Sequence, residues 1–93
     1  MALGDLIARL SDEAVAEETL LNVTNLAMLA QLSARAEAEG LDLGAYTAAA
    51  VNRFASAAPD EEWVSLIGAM SRASDPAATF LELALAYDAR KLA

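Results

Sequence analysis

Apolar residues in this chain recur every three or four positions and almost never alternate, and that restricts it to helices. Leu3, Leu6, Ile7 and Leu10 stand at i, i+3, i+4 and i+7, and Trp63, Leu66, Ile67 and Met70 repeat that spacing. Composition points the same way. Alanine supplies 24 of the 93 residues, against four Val, two Ile and four Thr. Alanine is the best helix former, and the β-branched residues that suit strands are scarce. The predicted fold class is all-α: a small orthogonal or up-down bundle of four to five short helices, in one helical domain over residues 1–93.

Capping residues and breakers divide the chain. A first helix is predicted over Ala2–Leu10, with Ser11 or Asp12 capping the next. A long helical reach follows from Asp12 to Glu39. At 1.5 Å per residue it would span about 42 Å, long for so small a domain. A break is expected between Glu18 and Asn25, where Thr19, Asn22, Thr24 and Asn25 compete for backbone hydrogen bonds. Gly40 suits the position just past a helix end, and Asp42 suits an N-cap. A helix is predicted over Leu43–Ala57, ended by Pro59 or followed by it at the next helix start. Asp60, Glu61 and Glu62 then fall in a first turn, where carboxylates complement the helix dipole. Ser74-Asp75-Pro76 marks a restart, and the last helix runs from Ala77 to about Lys91, with Arg90 and Lys91 in its final turn.

An alanine-rich bundle has a thin core, so its few large side chains matter most. Tyr46, Phe54, Trp63, Ile67, Met70, Phe80 and Tyr87 are the expected core anchors, each on the apolar face of its helix. Gly68, inside a helix, is expected to mark close helix packing, because glycine there otherwise costs about 1 kcal/mol relative to alanine.

The same inventory excludes chemistries. The chain has no His and no Cys. Disulfides, thiolate or imidazole metal sites, Cys nucleophiles and Ser-His-Asp triads are therefore ruled out within it. Glu13, Glu17 and Glu18 read as a solvated helix face, and Asp60-Glu61-Glu62 as a stabilised helix start, rather than as cation ligands. No catalytic residue, cofactor or metal is expected. With 14 acidic and 6 basic residues the net charge is −8. Arg9, Arg35, Arg53 and Arg72 are widely spaced and form no basic stripe, which argues against nucleic acid and against anionic membrane surfaces. No apolar run is long enough to span a bilayer, and the N-terminal residues lack a basic leader, so a cytoplasmic location is expected.

Apolar residues nevertheless make up 57% of the chain, and the mean hydropathy is +0.34. Both the segment from Leu20 to Leu32 and the last helix are apolar on more than one face. The expected function is a non-catalytic protein–protein interaction module, forming a homodimer. The candidate interface comprises Leu20, Asn22, Asn25, Met28, Leu29, Leu32, Leu81 and Leu85. Asn22 and Asn25 share a face there and read as its solvent side or as caps. One alternative is a small apolar ligand held between helices near Met28, Phe80 and Tyr87. Another is an enzyme built on two facing carboxylates.

Overall fold

The computed structural model describes residues 3–23 and 25–92, with side chains described for all of these but 23, 91 and 92. Six α-helices run through the described residues: α1 (Leu3–Leu10), α2 (Glu13–Val23), α3 (Leu26–Ala38), α4 (Leu43–Ala57), α5 (Asp60–Arg72) and α6 (Pro76–Leu92). The number exceeds the expected four to five because the long reach is two helices. The Asn25 side-chain oxygen accepts from the Met28 amide at 2.8 Å and starts α3 afresh. The expectations at Ala2 and Thr24, and those for the side chains of Val23 and Lys91, lie outside the described residues.

Each remaining boundary has a local cause. Asp12 caps α2, its carboxylate accepting from the amides of Ala14 and Val15 at 2.9 and 3.2 Å. The Ser11 hydroxyl instead donates back to the Ile7 carbonyl at 2.8 Å. At the end of α3 the Leu41 amide donates to the Ala36 carbonyl and the Gly40 amide to that of Glu37. That paired closure needs a left-handed residue, and Gly40 has φ of 72°. Asp42 then caps α4 through the Ala45 amide at 2.8 Å, and Asp75 caps α6 through that of Ala78 at 3.2 Å. Pro59 precedes α5 without a side-chain cap, and the three carboxylates occupy the first turn.

Helices α4 and α6 form the centre. α4 packs against α1, α2, α3 and α6, and α6 packs against α2, α4 and α5. The Phe54 ring is the hub of the core. Trp63, Tyr87 and Phe80 meet it edge-on at centroid distances of 5.0, 5.4 and 5.8 Å. Leu6, Leu10, Leu20, Leu66 and Leu81 are fully buried around it with Tyr46, Val51 and Thr47. Small residues let the helices approach closely, most of all where α2 crosses α4. A methyl group on Gly44 would lie 2.7 Å from the Glu13 carbonyl oxygen. Gly68, where close packing was expected, has only the far end of Arg72 nearby, at 3.7 Å. The close approach belongs to Gly44.

The accessible surface is 5368 Å², near the roughly 5,100 Å² expected for a folded monomer of this mass. The radius of gyration is 12.3 Å, which matches the compact-domain value of about 12 Å for this length. The chain therefore hides its core without a partner.

Candidate functional site

The surface is least finished where α2 turns into α3. Leu21 is 53% exposed, Leu26 81% and Met28 45%, three large apolar side chains within eight residues. Leu21 lies on the outer face of α2, beside Glu17 and Glu18 at i−4 and i−3. α3 rests on the core through Leu29, Leu32 and Ala36, and only its first turn, with Leu26, Ala27 and Met28 exposed, stands clear. Three of the six exposed large apolar side chains among the described residues thus gather at one elbow, the others being Leu41, Val64 and Ile67.

A groove runs from this elbow between α3 and α6. Met28, Gln31, Leu32 and Arg35 form one wall, and Glu82, Leu85, Ala86 and Ala89 the other. Both sets have the spacing i, i+3, i+4, i+7, so each is a single helix face. The groove holds about 140 Å³, and Leu32 and Leu85 are nearly buried along it.

The predicted interface residues divide between this surface and the core. Asn22, Asn25 and Met28 are exposed, and Leu29 is half-buried. Leu20, Leu32, Leu81 and Leu85 are buried within the monomer, at 0, 4, 0 and 7% exposure. They are core residues, which corrects the expectation that they form an outer contact. The reason is packing on several sides: α6 is flanked by α2, α4 and α5, so both Leu81 and Ala84 find cover. Among the expected anchors Tyr46, Phe54, Phe80 and Tyr87 are buried, while Trp63 and Met70 are half-buried against the core. Ile67 is 54% exposed and is not an anchor. α5 packs on α6 through Leu66, and Ile67 lies 100° further round the helix. Val64 is exposed beside it.

A polar seam crosses the interior between α4 and α6. Arg53 grips Asp88 with two bonds, Nε to one carboxylate oxygen at 2.7 Å and Nη2 to the other at 2.8 Å. Asp88 is buried, and the bond to its carboxylate holds the Arg53 proton more firmly than usual. The guanidinium also stands 5.8 Å from the centroid of the Tyr46 ring. Burial, and then the Asp88 carboxylate, push the Tyr46 hydroxyl above its ordinary pKa of 10.0, against an opposing hydrogen bond from Arg35. Sequence reasoning missed this seam. The signal was present: Asp88 follows Ala84 by four residues on a buried face, and Arg53 follows Tyr46 by seven.

The seam borders a shallow depression of about 550 Å³ lined by Asn52, Arg53, Ser56, Ala57, Tyr87 and Asp88. Its one buried carboxylate is fully engaged by Arg53, so no free base faces the opening. Asp88 is the only buried carboxylate among the described residues, so two buried carboxylates do not face each other. Among the described residues no group of His, Cys, Asp or Glu gathers as a metal site. The proposed apolar ligand pocket does not assemble either. Met28 lines the α3–α6 groove, Tyr87 borders the α4–α6 depression, and Phe80 is sealed against Phe54. No described helix is long and apolar enough to cross a membrane.

No protein-family model, curated protein or solved structure matches the chain.

Proposed function

We propose that the chain is a non-catalytic protein–protein interaction module that docks through the α2–α3 elbow. The observation that carries the reading is the exposure of Leu21, Leu26 and Met28 within eight residues; among the described residues the other large apolar side chains, Leu41, Val64 and Ile67 apart, are less exposed. Apolar groups gathered at the surface of a small acidic domain are the usual mark of a docking face.

A second copy fits this face poorly. The case for a homodimer rested on a surplus of apolar surface that shrinks once Leu20, Leu32, Leu81 and Leu85 are inside. Two copies would also bring together eight net negative charges each. A different protein is the fitting partner.

Site-specific photo-crosslinking in the organism that makes the protein tests this. A photoreactive residue at Leu26 should give a discrete adduct with another protein, and one at Asp5, on the exposed side of α1, should not. No adduct at Leu26, or equal adducts at both positions, would overturn the reading. Sedimentation equilibrium should show the 9.7 kDa monomer through tens of micromolar, and a species of twice that mass would restore the homodimer.

A further inference from the structure

Gly68 has no role within the monomer. Glycine weakens a helix interior, and what offsets that loss is the close approach of another backbone. No such approach is made here: only the flexible end of Arg72 comes near, 3.7 Å from where a methyl group would lie. Leu66 is the residue through which α5 faces the core. Gly68 lies two residues on, about 200° round the helix, and so on its outer side.

Asp60, Val64, Gly68 and Arg72 follow one another at intervals of four and form a single ridge along that side. Read from the start of α5, the ridge carries an acid, a large apolar group, a notch and a base. Val64 is 70% exposed. Asp60 and Arg72 are exposed as well, and neither makes an ion pair among the described residues.

We infer that this ridge pairs with the same ridge of a second copy, antiparallel and about a two-fold axis. The argument is one of register. An antiparallel alignment that sets Val64 of one copy against Gly68 of the other is centred on position 66. The alignment that sets Asp60 against Arg72 has the same centre. One arrangement therefore seats both Val64 side chains in glycine notches and closes two ion pairs. It also brings the two copies of Ile67, each 54% exposed, together beside the axis. The complement to this ridge is the ridge itself, so a second copy is the occupant it fits.

The pairing uses no residue of the α2–α3 elbow and is independent of the reading above. Two apolar residues per copy and two exposed ion pairs make a small, transient contact. The net charge of −8 on each copy opposes it, and salt screens that repulsion beyond about 8 Å. Pairs therefore form between about 0.1 and 1 mM, above the range in which the monomer prevails.

The test is NMR of the whole protein from about 20 micromolar to about 2 mM. Translational diffusion should slow with concentration, and the accompanying amide shifts should centre on residues 60–72. Gly68→Gln fills the notch with a polar side chain of good helix propensity. It should weaken pairing at least tenfold and melt at or above the wild-type temperature. Asp60→Arg and Arg72→Asp should each weaken pairing about fivefold, because each turns both ion pairs into like-charge contacts. An equimolar mixture of those two proteins should recover pairing to near the wild-type level, because mixed pairs restore opposite charges at both ends. A mixture that pairs no better than its components overturns the inference, as does full pairing in Gly68→Gln or unchanged diffusion up to the highest concentration. Shifts centred on Leu21, Leu26 and Met28 overturn it in favour of self-association at the elbow.

Discussion

Replacing Gly44 by alanine adds one methyl group at the tightest point of the bundle. The new carbon would sit 2.7 Å from the Glu13 carbonyl oxygen, 3.3 Å from its carbon and 3.4 Å from the Glu17 Cβ. Ordinary contact begins at 3.4 Å, so the overlap with the oxygen is 3.4 − 2.7 = 0.7 Å. That oxygen belongs to the α2 backbone and cannot swing aside. The helices must part along a seam where Ala16 and Leu20 are fully buried. Such overpacking costs about 1–3 kcal/mol, and alanine's helix preference returns at most about 1 kcal/mol. The expected net loss is about 1–2 kcal/mol, a fall in Tm of about 5–15 °C for a domain of this size. Gly68→Ala is the internal control. Its methyl meets nothing nearer than 3.7 Å, so it should stabilise by up to about 1 kcal/mol. Thermal melts followed by circular dichroism at 222 nm, with urea titrations followed by Trp63 fluorescence, measure both. The two substitutions should have opposite signs. A Gly44→Ala protein that melts at or above the wild-type temperature would refute the argument.

Other outcomes follow from the polar seam and the caps. Arg53→Met should destabilise by about 1–2 kcal/mol, because it strands the Asp88 carboxylate; the low end applies where water reaches the half-exposed arginine side. Adding Asp88→Leu to Arg53→Met should recover most of that loss in urea denaturation, since an apolar pair leaves nothing unpaired. The Tyr46 hydroxyl keeps its proton longer in the folded chain than in the unfolded one. Its contribution is complete below pH 10 and is lost as pH rises through the higher folded-state value. Urea titrations from pH 8 upward should thus show stability falling at the alkaline end, with a shallower fall in Tyr46→Phe. Asp42→Ala should lower global stability by about 1 kcal/mol, as it uncaps the central α4. Asn25→Ala should instead increase amide exchange in the first turn of α3 with a smaller effect on the melt, because Leu26, Ala27 and Met28 in that turn are exposed.

The helix boundaries were readable because short-range chemistry sets them. Asp42, Asp75, Gly40 and Pro59 act on backbone groups within a few residues, and the bounds of α4 follow directly from them. Which face is buried depends on neighbours that sequence spacing does not reveal. Leu20 and Leu32 looked like parts of one many-sided helix. The restart at Asn25 gives each its own helix, and each turns inward. Ile67 shared a stripe with Trp63 and Met70, but α5 presents a narrower face to α6 than that stripe assumes. Gly44 falls beside a predicted turn and Gly68 inside a predicted helix, so the sequence points to Gly68 as the close approach. Only the crossing of α2 over α4 makes Gly44 indispensable to the fold and Gly68 expendable to it. The elbow was legible as an apolar segment, but its exposed members Leu21 and Leu26 were not singled out. The groove beside it was not legible, since it joins residues more than fifty positions apart.

The way α3 is held has a mechanical consequence. The chain reversal at Gly40 and the buried residues Leu32 and Ala36 fix one end of the helix, whereas the first turn at Leu26 to Met28 is exposed. Fraying of that turn disturbs few core contacts, so it opens at lower cost than the anchored end. The anchored end lies beside the polar seam: Arg35, on the fixed half of α3, acts on the Tyr46 hydroxyl, and the Tyr46 ring faces Arg53.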